Sequence, residues 1–380
     1  MLTICDALKR GDSPRPEAIR EALTPHLPLL AHLPAHARST PTPPTLDALY
    51  EGLSDLKRLG RPISGERRLV LTLAAALHTI GHAHHAHASA RARPNTPAPS
   101  ELTLASRARD YLAPRLGALP LSLGARERLW SLVAYLHHPR ALLRGEAAPD
   151  EWGHLGRLVD LADLSLLHRA LCRAEGRGLG DAGGAALLGE HRRFEREAAR
   201  VTRGGSPSFS VSVPVSVPVS APTLTPNAPA LHITCAPSGV GKSTWGARAH
   251  PHAAVVCMDE VRVELTGRAE DQSRNQEVFE LSLERLKGHL LRGEEVVWDA
   301  TSLLRAHRAP LIALGRAAGA LTRLEVFLAP PAHALAGNLR RERVVPEAVI
   351  EAQYARWEVP ARDEADEVRY LTPDDSGGWA

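Results

Sequence analysis

Lysine is nearly missing from this chain. Only Lys9, Lys57, Lys242 and Lys287 occur, although Lys and Arg together number 46, so the basic residues are almost all arginine. Abundant Ala, Leu and Pro accompany this bias, as GC-rich codon usage would produce. Aromatic residues make up only 4%. The four cysteines, Cys5, Cys172, Cys235 and Cys257, are widely spaced with no C-x-x-C pair. That excludes a disulfide framework or a cysteine zinc site and fits a reducing compartment. No apolar run reaches the ~20 residues of a membrane span, and MLTICDALKRGD has no signal-peptide layout. A soluble, cytoplasmic protein with no membrane partner is expected. The net charge of +3 is too mild to indicate a nucleic-acid partner by itself.

At 380 residues and 44% hydrophobic, the chain has material for two cores. The boundary is written in residues 202–230, rich in Pro, Val and Ser, with repeated Val-Pro-Val-Ser units. Proline forbids helix and central strand here, so an extended linker is expected. Residues 1–201 read as all-α, with apolar residues at helical spacing over 66–78, 101–113, 124–138, 154–174 and 187–201. Residues 231–380 alternate short apolar runs (LHITC, AAVVC, EEVVW, RLEVF, EVRYL) with helical stretches. That alternation predicts an α/β domain with a parallel sheet.

In such sheets ligands bind beyond the carboxyl ends of the strands. The first strand runs into TCAPSGVGKST, residues 234–244. This is a phosphate-binding loop with Ala236 in place of the opening glycine. Ser238, Gly239, Val240, Gly241, Lys242, Ser243 and Thr244 would hold ATP or another NTP. Backbone N–H groups would cradle its phosphates, Lys242 would reach the β and γ phosphates, and the Ser243 hydroxyl would take Mg²⁺. After the second strand, VVCMDEVR places Asp259 where a kinase needs a general base, with Arg262 three residues on to hold an acceptor anion. An N-cap or a Mg²⁺ ligand is the plainer role for Asp259. The third strand ends in VVWDATSLLRAHR, with Asp299 and Thr301 following it and Arg308 on the next helix. Arg340, Arg341 and Arg343 cluster in NLRRERVV, either folding over donor phosphates or forming a solvated helix face.

In this order the pieces resemble the 5′-polynucleotide kinase domain of end-healing enzymes. The resemblance runs from residue 231 to about 372 and includes VPEAVI at 345–350. It implies ATP·Mg²⁺ on Lys242 and Ser243, Asp259 as base for a 5′-hydroxyl, and Arg262, Asp299, Thr301 and Arg308 lining the acceptor groove. Arg340, Arg341 and Arg343 would contact the donor phosphates, Arg341 and Arg343 taking part in catalysis. The family often opens this lid with Arg-Asn; here Gly337-Asn338 stands there. The implied partners are 5′-hydroxyl ends of DNA or RNA. A kinase of small-molecule hydroxyls and a non-catalytic nucleotide-dependent adaptor are the alternatives.

Residues 69–82, LVLTLAAALHTIGH, bring a second resemblance, to HD-domain metal phosphohydrolases, whose helix ends in His-Asp-Ile-Gly. Thr79 stands in the aspartate's place. His137 or His138, and Asp160 or Asp163 on one shared helix face, match the later helices. The implied metal set is His78, His137, His138 and Asp163, binding a divalent transition metal. The order of domains is similar to the bacterial HD-Pnk family, whose N-terminal domain resembles a phosphoesterase for 3′-phosphate or 2′,3′-cyclic-phosphate ends. His82, His84, His85 and His87 follow in a stretch that reads as a biased loop.

Overall fold

The computed structural model describes residues 2–32, 42–61, 63–89, 99–145, 151–177, 179–203, 228–373 and 378–379. Most of the Pro/Val/Ser-rich segment, residues 204–227, lies outside them. The chain divides into two compact units, Met1–Val213 and Pro214–Ala380.

The first unit is helical throughout its described residues. Gly65–Leu77 is its central helix, buried over most of its circumference. A helix apolar on all sides belongs inside a bundle. It packs against Leu123–Tyr135, which in turn meets Glu101–Leu112. Ser64, Ser100 and Ser122 cap these three helices by accepting the N–H three residues on. Where one helix was expected over 154–174, there are two, Glu151–Leu158 and Leu161–Gly176. Asp160 breaks the run by capping the second, accepting from the N–H groups of Ala162 and Asp163 at 2.9 Å each. The final helix begins at Gly180 and runs to Thr202, one residue into the expected linker. The histidine-rich stretch is a helix too, Ile80–Ser89, rather than a loop. Among the described residues no helix is long and apolar enough to cross a membrane.

The second unit is built on five parallel strands, β1 Ala230–Cys235, β2 Ala254–Cys257, β3 Val296–Asp299, β4 Leu321–Phe327 and β5 Glu367–Leu371. Their order is β2-β3-β1-β4-β5. Every residue of β1 past Ala230 is buried, so the sheet is covered on both faces at its centre. Helices Lys242–Ala249 and Asn275–Leu291 pack on β3, and Arg305–Ala317 packs on β1 and β4. The carboxyl end of β1, between β3 and β4, is where the loop emerges.

Candidate active site

The loop owes its shape to two glycines and a clamp. Gly239 and Gly241 sit at φ +86° and +98°, in the left-handed region that side chains disfavour. Helix Lys242–Ala249 starts immediately afterwards. Its first-turn N–H groups have no intrahelical carbonyl to reach, which suits a phosphate. A Cβ on Gly239 would lie 2.2 Å from the carbonyl oxygen of Ala334. One on Gly337 would lie 2.1 Å from the carbonyl oxygen of Gly239. Loop and helix Pro331–Asn338 therefore interlock backbone to backbone. A side chain at residue 337 would collide with this backbone. Gln353, on helix Glu347–Arg356, completes the clamp. It accepts from Ser238 N at 2.7 Å and donates to Ser238 Oγ at 3.2 Å.

Ala236, at the substituted glycine position, is buried, and its N–H donates to Thr301 O at 3.0 Å. It ties the phosphate loop to the loop after β3. Lys242 is 9% exposed and donates to the carbonyls of Ala236 and Pro237 at 3.2 and 2.9 Å. Burial lowers its pKa to about 8, with Asp299 opposing the shift. The ammonium is therefore charged below pH 8 and loses its proton above it. Nucleotide affinity that depends on this charge should be full at pH 7 and about tenfold weaker at pH 9. Equilibrium titration with a fluorescent nucleotide across that range checks the shift.

Two clefts meet at the loop. The first, of about 1030 Å³, is lined by Gly239, Val240, Gly241, Lys242, Ser243, Thr244 and Arg340. The second, of about 790 Å³, is lined by Ser238, Asp259, Arg262, Asp299, Thr301 and Arg343. Lys242, Ser243 and Arg341 line both. Most residues expected to act on one reaction are thus brought together. Arg343, expected over the donor phosphates, and Ser238, expected to hold nucleotide, both line the second cleft, and Ser238 N–H donates to Gln353 Oε1.

Asp259 sits in the first turn of helix Met258–Thr266. The N-cap there is Cys257, so capping is not the role of Asp259. Its half-exposed carboxylate accepts from Arg262 Nη1, one turn on. Arg262 is buried, and its Nη1 also donates to Ala269 O at 3.3 Å. The pair fixes the carboxylate at the cleft wall while leaving it open to an acceptor.

Arg308, expected to line the acceptor groove, is placed elsewhere. It is 1% exposed and lines neither cleft. Its guanidinium grips Glu364 in a fork, at 2.6 and 3.0 Å. The remaining nitrogen donates to the carbonyls of Ser302 and Leu303 at 2.9 and 2.8 Å. Ser302 is held at φ +43°, a strained value for a residue with a side chain. Arg308 therefore braces the turn behind Asp299 and Thr301 instead of lining a cleft.

Sequence reasoning passed over several participants. Asn338 is buried and bridges the lid, donating to Val345 O at 2.7 Å and accepting from Val345 N at 2.9 Å. Arg356 and Phe279 line the second cleft, and His333 and Trp379 the first. Gln353 and Asn338 work through contacts that no local pattern announces.

In the N-terminal unit the expected metal set does not assemble. No three of His78, His137, His138 and Asp163 bring ligand atoms within 4.8 Å of one another. Asp163 is fully buried and bound to Arg67 Nε. Asp160 is occupied as a helix cap. His78 Nδ1 donates to Ala75 O at 2.8 Å. Burial pushes His137 down to about 3 and His138 to about 4, so both rings are neutral at physiological pH. Gly81 of the Ile-Gly pair has a packing cause, since a Cβ there would lie 1.9 Å from Leu104 O.

Sheet order, loop and clefts define the second unit as a P-loop, kinase-like domain. Residues 231–360 match the profile of a family described as an AAA domain. No curated protein matches the chain. Among solved structures, a gluconokinase from Sinorhizobium meliloti 1021 is similar at 16% identity and a TM-score of 0.29. The match covers 38% of this chain and 83% of that one.

Proposed function

We propose that the C-terminal unit transfers the γ-phosphoryl group of ATP to a 5′-hydroxyl at the end of a nucleic-acid strand. The observation that carries phosphoryl transfer is the meeting of two clefts at Lys242, Ser243 and Arg341, with Asp259 on one side only. A switch that merely binds nucleotide needs a single cleft. A transferase needs donor and acceptor to approach the same cations from opposite sides.

The reaction assigns each residue a task. Lys242 and the loop N–H groups hold the donor phosphates. Mg²⁺, held through the Ser243 hydroxyl, would neutralise phosphate charge. Asp259 takes the proton of the acceptor hydroxyl as its oxygen bonds to the γ-phosphorus and the bond to the β-phosphate oxygen breaks. Arg341, lining both clefts, faces the charge that moves between them.

The lining of the second cleft supports this choice of acceptor. Arg262, Arg341, Arg343 and Arg356 line it together with Phe279. Cations suit the phosphodiesters that follow a 5′-terminal hydroxyl, and an aromatic face suits its base. Such recognition is indifferent to sequence and weakens with salt. The helical unit enters this proposal without an assigned reaction.

The test incubates the full chain with Mg²⁺, γ-labelled ATP and 5′-hydroxyl DNA or RNA oligonucleotides. Label on an oligonucleotide that disappears in Lys242→Ala is the expected result. Tight ATP binding with no labelled oligonucleotide, and transfer to a small sugar hydroxyl instead, would overturn the acceptor assignment.

A further inference from the structure

At the opposite end of the same sheet lies a second cluster that phosphoryl transfer does not use. His232 is the third residue of β1 and fully buried. His250 follows helix Lys242–Ala249, and Glu295 immediately precedes β3. Three chain segments thus converge at the amino ends of the strands, away from the phosphate loop.

Their atoms are aimed at a common point. His232 Nε2 and His250 Nδ1 each lie 3.0 Å from the same oxygen of Glu295. The three ligand atoms are all within 4.8 Å of one another, the only such group among the described residues. The two imidazole rings approach to 3.8 Å between centroids. For metal–ligand bonds of about 2.0–2.2 Å, tetrahedral edges are roughly 3.3–3.6 Å, so small movements suffice to seat an ion.

The far side of His232 carries the second argument. Its Nδ1 lies 3.0 Å from Oε1 of Glu325, a fully buried carboxylate on β4. Glu325 Oε2 is buried with no hydrogen-bond partner, and Arg369 reaches Oε1 only at 3.8 Å. A carboxylate behind a histidine fixes that ring's tautomer and turns its other nitrogen into a ligand. His232 thus stands between two carboxylates, with a second imidazole against its face, and a divalent ion among them would balance the buried negative charge.

We infer that His232, His250 and Glu295 form a metal site, with Glu325 orienting His232 from behind. Two imidazoles and a carboxylate as donors select zinc over magnesium or calcium. Glu295 is 41% exposed on its side chain, which leaves one side open to a water as fourth ligand. The site ties β1, β3 and the end of helix Lys242–Ala249 together, and it does not depend on the kinase assignment.

The test strips the full chain with chelator, adds Zn²⁺ and measures bound metal after dialysis. Four-coordinate Co²⁺ absorption reports geometry. The histidine-rich helix Ile80–Ser89 is a competing binder, so a His82→Ala/His85→Ala protein serves as control. We expect one tight equivalent in the wild type and in that control. It is lost in His250→Ala and Glu295→Gln and retained in His250→Cys, which restores a ligand. Glu325→Gln should weaken it about 10- to 100-fold. Lys242→Ala should leave it unchanged. Equal zinc retention by wild type, His250→Ala and Glu295→Gln, or none in the wild type, overturns the site.

Discussion

Asp259→Asn should lower the turnover number by about 10²–10⁴-fold while leaving nucleotide affinity within about twofold of wild type. The amide keeps the shape of the carboxylate, so the helix Met258–Thr266 has no reason to change. What it removes is the proton acceptor that the proposed transfer needs on the second cleft. In the proposed reaction nucleotide occupies the first cleft, which Asp259 does not line. Rapid-quench transfer assays beside equilibrium nucleotide titration separate the two quantities. A loss of affinity comparable to the loss of rate would place Asp259 on the donor phosphates and sink the general-base role. One side effect needs a control, because the substitution also leaves the buried Arg262 facing a neutral partner. Arg262→Met combined with Asp259→Asn removes that uncompensated charge and should restore stability without restoring rate.

Gly239→Ala should be nearly as damaging, for a mechanical reason. The left-handed φ of +86° costs an alanine about 1–2 kcal/mol. Its methyl group would also stand 2.2 Å from the Ala334 carbonyl, a backbone atom that cannot rotate away. Overpacking of this kind adds about 1–3 kcal/mol. Together these imply nucleotide binding weakened on the order of 10²-fold or more. Gly337→Ala tests the same contact from the other side, and at Gly337 no positive φ contributes. It should weaken binding less. Equal effects at both positions would point to the shared overlap as the whole cause, and none at either would refute the interlock.

How far the sequence could be read depends on how local each cause is. All five strands were legible because each is a short apolar run bounded by polar turns, and the loop was legible because its glycines and lysine are contiguous. The same locality links Asp259 to Arg262, three residues on, and the two do pair. Arg308 was misread because its partner, Glu364, lies 56 residues on. Nothing near Arg308 distinguishes a buried brace from a groove cation. Asp160 and Asp163 were expected to share a helix face, but the cap at Asp160 places it before the helix begins. The histidine helix was hidden by composition, since alanine and histidine alternate there without an apolar face. For the clustered arginines 340, 341 and 343, only the folded turn shows that the three divide between two clefts.

The fork between Arg308 and Glu364 also bears on how the catalytic unit can be cut from the chain. The family profile stops at residue 360, short of Glu364 and of β5. A fragment trimmed at that point would strand a buried guanidinium and release the turn at Ser302, whose carbonyl the same guanidinium holds. It would also bare β4 as a new sheet edge, open to pairing with other chains. An excised phosphotransfer unit therefore has to run through Leu371.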